Sequence, residues 1–85
     1  MYDKLLGRIL RGASDANIAF EDLCQLLRHL GLDERTRGSH HLFRKSGITE
    51  LINLQREGSK ATVYQVRQAR AVLLKYRLAG EGGED

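Results

Sequence analysis

The densest run of reactive side chains is Arg35-Thr36-Arg37-Gly38-Ser39-His40-His41, followed at once by Arg44 and Lys45. Two histidines after a glycine turn bring proton-transfer groups beside cations able to hold phosphate. Histidine is the one side chain whose unperturbed pKa, about 6.5, lets it take and give protons at neutral pH. Cleaving RNA requires a base to deprotonate the 2′-hydroxyl and positive charge to stabilise the phosphorane-like transition state. A histidine with an arginine or lysine can do both without a cofactor. The residue chemistry leaves His40 and His41 equally eligible, and it also fits a pair of surface histidines with no chemical duty. Neighbours on an extended strand point to opposite sides, and no third ligand lies nearby in sequence. No metal is therefore expected at the pair.

The elements that must position these residues follow from hydrophobic spacing. Leu5, Leu6, Ile9 and Leu10 predict a short helix over 2–10, with Gly12 as its stop and a turn-rich loop over 12–17. Leu23, Leu26, Leu27 and Leu30 form the stripe of an amphipathic helix over 20–30, with Glu21 and Asp22 at its positive end and Gly31 as terminator. Cys24, one position from that stripe, reads as a packed thiol rather than a nucleophile, and His29 as structural or solvent-facing.

Extended segments at 32–37, 41–45 and 50–55, separated by Gly38-Ser39 and Ser46-Gly47, predict a three-stranded antiparallel meander. Ile52 and Leu54 alternate with Asn53 and Gln55, so the sheet should be covered on one face and open on the other. A final helix over 62–78 begins at a Thr62/Gln65 capping box. Val66, Ala69, Leu73 and Tyr76 share its packing face, and Arg67, Arg70 and Arg77 another. The acidic, glycine-rich 79–85 reads as a disordered tail. The expectation is a single α+β domain over 1–80, with 1–18 as an added N-terminal helix and loop.

Composition narrows the function. At 85 residues, 41% hydrophobic and 29% charged, the chain suits one small globular domain and excludes a two-domain enzyme. Residues 1–34 carry a net −2, whereas 35–77 hold ten bases against Glu50 and Glu57, a net +8. So concentrated a charge is the footprint expected of a polyanion binder, nucleic acid first, with an anionic protein partner as the alternative. Five aromatics and no tryptophan argue against a base-stacking RNA-binding sheet. The lone Cys24 forms no internal disulfide and suits a reducing cytoplasm. No apolar run is long enough for a membrane span. Walker-type and dinucleotide loops are absent, as is an acidic cluster for magnesium, which disfavours ATP-driven and metal-dependent nuclease chemistry.

The leucine-rich helix from Leu23 to Gly31, the motif Gly38-Ser39-His40-His41-Leu42-Phe43-Arg44, the strand Ile52-Asn53-Leu54 and the helix bearing Gln65-Val66-Arg67 together resemble the HicA (YcfA-like) toxin family of toxin–antitoxin systems. The resemblance covers about two thirds of the chain, from Phe20 to Leu78. It implies a double-stranded-RNA-binding-like fold, metal-independent mRNA interferase activity and a cognate HicB-type antitoxin that covers the active site. Carried onto this chain, the catalytic histidine is His40, directly after Gly-Ser, with His41 the other candidate. Arg37, Arg44 and Lys45 would lie near the scissile phosphate, Ser39 would also bind RNA, and Arg67 and Arg70 would extend the RNA footprint. Many members carry a proline and a further histidine after the third strand. Here the chain reads Asn53-Leu54-Gln55-Arg56, so either Asn53, Gln55 or Arg56 stands in for that second histidine or its role is not needed. A non-catalytic RNA-binding module is the main alternative.

Overall fold

The computed structural model describes residues 3–78, and the expected tail over 79–85 lies outside them. Helix α1 (Asp3–Arg11) is followed by one turn of 3-10 helix (Asp15–Asn17), then α2 (Phe20–His29). Strands β1 (Asp33–Arg37), β2 (His40–Arg44) and β3 (Ile52–Leu54) come next, and a small hairpin, β4 (Arg56–Glu57) and β5 (Lys60–Ala61), leads into α3 (Val63–Lys75). The chain is α+β, with the three-stranded antiparallel sheet in the order β1-β2-β3.

The alternation read from the sequence sets the two faces of this sheet. Phe43, Ile52 and Leu54 are fully buried and point to the same side. There they meet Phe20, Leu23, Leu26 and Leu27 of α2, Val66, Ala69 and Leu73 of α3, and Ile9 of α1. All three helices therefore supply apolar side chains to one core on one side of the sheet. The N-terminal extension belongs to this core: Ile9 is fully buried, with Leu5, Leu6 and Leu10 packed around it.

Helix ends carry the expected signals. Thr62 caps α3, its hydroxyl accepting from the Gln65 backbone N–H at 3.3 Å. Gln65 does not complete a reciprocal box, because its side-chain Oε1 accepts the Gln55 N–H at 2.8 Å and ties the start of α3 to the end of β3. Gly31, at φ +95°, ends α2, and the Lys45 amine lies against the space a side chain there would fill.

Three boundaries depart most from the sequence expectation: the last helix ends at Lys75 instead of 78, and residues 76–78 form a turn in which Arg77 adopts φ +53°. The third strand is confined to Ile52–Leu54 instead of 50–55, because Glu50 is drawn away to Lys75 at 2.7 Å and to the Tyr76 hydroxyl. The stretch 56–59, beyond the three expected strands, contributes β4 and the tip of a hairpin. Its return strand is stitched to the segment entering α2 by Phe20 N–H to Ser59 O and Ala61 N–H to Ile18 O, both 3.0 Å.

Candidate functional site

Strand β2 carries both histidines, and its register sends them to opposite faces. The β1–β2 connection is the two-residue turn Gly38-Ser39, in which Gly38 adopts φ +59°, so His40 stands directly across from Arg37 and His41 across from Thr36. A glycine suits this position because side-chain-bearing residues rarely adopt positive φ.

His40 is exposed on the open face. Its Nδ1 donates to Asn53 Oδ1 at 3.2 Å, a diagonal neighbour on β3. In the tautomer that makes this bond, Nε2 carries the lone pair that can accept a proton. The same face presents Arg35 and Arg37 from β1 and Arg44 from β2, with Leu42 between them and Leu51 at the rim. A shallow depression is lined by Arg35, Arg37, Leu42, Arg44 and Leu51. None of these arginines forms an ion pair among the described residues. Ser39 lies at the tip of the turn and accepts from Gln55 Nε2 at 3.4 Å. The open face thus joins a proton acceptor with unpaired, forked cations suited to phosphate.

His41 sits on the covered face, its side chain 26% exposed. Its Nδ1 donates to Glu34 Oε2 at 2.7 Å, and its ring meets the Phe20 ring edge to face at 5.0 Å between centroids. Glu34 Oε1 in turn accepts from Arg28 Nε at 2.6 Å. Burial alone would raise the Glu34 pKa, but the hydrogen bonds from Arg28 and His41 outweigh it and hold the carboxyl below its ordinary range. Cys24 completes this underside. It is fully buried, and burial, aided by the negative charge of Glu34, pushes its thiol up to about 11, so the sulfur is protonated at neutral pH. Glu34 and Arg28 had no sequence signal of their own, since their partners are brought to them only by the pairing of β1 with β2 and the packing of α2.

The remaining expected residues divide. Lys45 folds back against Gly31 at the end of α2. Arg70, expected in the RNA footprint, is committed inside the protein. Its Nη1 donates to Asp15 Oδ1 at 2.9 Å and to the Ile9 carbonyl at 3.1 Å, which holds the end of α1 and the 3-10 turn against α3. Arg67 reaches the same carboxylate at 3.5 Å but remains two-thirds exposed. Hydrogen bonding from Arg70, joined by the charges of both arginines, holds Asp15 ionised below its ordinary range. Arg56, one of the three possible stand-ins for a second histidine, pairs with Glu21 at 2.5 Å and lies over the Phe20 ring. Of the three, Asn53 is the one that touches His40. Among the described residues no helix is long and apolar enough to cross a membrane. No protein-family profile, curated protein or solved structure matches this chain.

Proposed function

We propose that this protein is a HicA-type toxin: a metal-independent mRNA interferase with a double-stranded-RNA-binding-like fold, acting in the cytoplasm and neutralised by a HicB-type antitoxin. The observation that carries this proposal is the open face of the sheet. There an exposed histidine, oriented by Asn53 and bearing a free Nε2, stands across from Arg37 among arginines without internal partners.

The chemistry assigns each group a task. His40 Nε2 takes the proton of a ribose 2′-hydroxyl, and the 2′-oxygen attacks the adjacent phosphorus. The P–O5′ bond breaks, leaving a 2′,3′-cyclic phosphate, and the departing 5′-oxygen takes a proton from water. Arg37, with Arg44 and Arg35 along the same face, holds the phosphate and stabilises the added negative charge as the phosphorane forms. Asn53 acts through His40 as a positioning residue. DNA lacks the nucleophile and is bound without being cut. The run α2-β1-β2-β3-α3, with its helices on one face, supports the double-stranded-RNA-binding-like assignment.

Induced expression in a bacterial host, following growth together with full-length mRNA, tests the proposal. Wild type is expected to arrest growth and degrade transcripts, and His40→Ala to do neither while remaining folded. A soluble, folded wild type that binds RNA with salt sensitivity yet leaves it intact would instead establish a non-catalytic RNA-binding module.

A further inference from the structure

Beneath the sheet, on the face opposite His40, three side chains from three elements converge without a role in the proposed hydrolysis: Cys24 of α2, Glu34 of β1 and His41 of β2. One donor atom from each, Cys24 Sγ, a Glu34 carboxylate oxygen and a His41 ring nitrogen, lies within 4.8 Å of the other two. We propose that Cys24, Glu34 and His41 form a binding site for one zinc-class divalent transition-metal ion.

The donor set and its surroundings both fit. Thiolate, imidazole and carboxylate are the zinc ligands of proteins, at about 2.3, 2.0 and 2.1 Å. Ligands around a tetrahedral ion are consequently separated by roughly 3–4 Å, so donor atoms up to 4.8 Å apart have to close by about 1–2 Å. His41 Nδ1 and Glu34 Oε2, now 2.7 Å apart, are bridged by the proton that the metal would replace. Arg28 does not have to leave: it holds Oε1, the other carboxylate oxygen, as an outer-shell group that orients a ligand. The fourth position belongs to water, because His41 and Glu34 retain 26% and 16% side-chain exposure while Cys24 is sealed. Sulfur and nitrogen donors favour zinc or cobalt over magnesium or calcium.

Protons balance in a definite way. The buried Cys24 thiol must lose its proton to solvent for its sulfur to bind as thiolate. Binding releases about one proton per ion and tightens as pH rises. Because the site lies on the covered face, occupancy leaves His40 and the arginine face untouched, and it does not rest on the ribonuclease proposal.

The test titrates the full-length chain with Zn²⁺ by calorimetry and with Co²⁺ by absorption spectroscopy. The expected result is one ion per chain, a thiolate-to-cobalt charge-transfer band, and no comparable binding of Mg²⁺. Cys24→Ser should abolish the band, Glu34→Gln and His41→Ala should weaken Zn²⁺ binding at least tenfold, and His40→Ala should bind as wild type does. Circular dichroism without metal verifies that each variant is folded, and Cys24→Ala provides a second, apolar replacement for the thiol. Absence of the cobalt band in wild type, or loss of binding in His40→Ala with Cys24→Ser unaffected, would overturn the proposal.

Discussion

Replacing Arg70 by alanine should destabilise the protein rather than weaken its grip on RNA. Arg70 Nη1 makes two hydrogen bonds, to Asp15 Oδ1 at 2.9 Å and to the Ile9 carbonyl at 3.1 Å, and its side chain is 21% exposed against 11% for Asp15. Removing one member of a fully buried ion pair costs about 3–5 kcal/mol, and a single hydrogen bond to a charged group is worth about 1.5–3 kcal/mol. This pair lies close to solvent, and Arg67 remains to compensate Asp15 in part, so about 2 kcal/mol is the expected loss. A domain of this size loses about 4–8 °C in Tm per kcal/mol, which places the variant roughly 8–16 °C below wild type. Asp15→Asn, which keeps an acceptor but loses the charge, should cost less, about 1 kcal/mol. Urea unfolding followed by far-ultraviolet circular dichroism provides the energies, and a double-mutant cycle isolates the coupling between the two positions. An Arg70→Ala variant within about 0.5 kcal/mol of wild type that lost RNA affinity as strongly as Arg37→Ala would refute the internal assignment.

Other outcomes follow from the same contacts. Alanine at Arg35, Arg37 or Arg44 should each lower the slope of log affinity for single-stranded RNA against log salt by about 0.7. A slope unchanged in all three would remove the open face from the interface. Thr62→Ala, which deletes the hydroxyl accepting from the Gln65 N–H, should cost about 1 kcal/mol in urea unfolding, whereas capping without energetic weight would leave the midpoint unmoved. Asp15 and Glu34 are both held below their ordinary carboxylate range in the folded protein. The unfolded chain therefore binds protons first as pH falls. Stability is fully present above about pH 5 and is lost as pH drops through the folded-state values. Urea midpoints between pH 3 and 7 should show this loss, with a shallower dependence in Asp15→Asn, and an identical profile in that variant would count against the Asp15 contribution.

Features governed by local chemistry were readable from the sequence. The leucine stripe of α2, the Thr62 cap and the alternation that buries Ile52 and Leu54 depend on residues only a few positions apart. The same period of two placed His40 and His41 on opposite faces. Features governed by distant partners were not readable. On the α3 surface Arg70 looks like any arginine of a basic helix until Asp15, 55 residues earlier, is folded against it. The sequence likewise contains no sign that Glu50 would be held by Lys75 and Tyr76 and so cut the third strand short. Asn53 was one of three residues that could stand in for the second histidine the resemblance implies. It was singled out by the β2–β3 register, which brings it diagonal to His40. The sequence showed no third ligand near the histidines because Cys24 reaches His41 across the packing of α2 on the sheet rather than along the chain.

Incubating purified wild-type protein with a single-stranded RNA in the presence of EDTA, beside His40→Ala, His41→Ala and the same oligonucleotide made as DNA, tests the central claim most directly. Metal-independent cleavage of RNA by wild type and His41→Ala, with products ending in a 2′,3′-cyclic phosphate, is the expected result, together with intact RNA for His40→Ala and intact DNA throughout. Undiminished cleavage by His40→Ala, or cutting of the DNA, would contradict a mechanism in which His40 activates the 2′-hydroxyl.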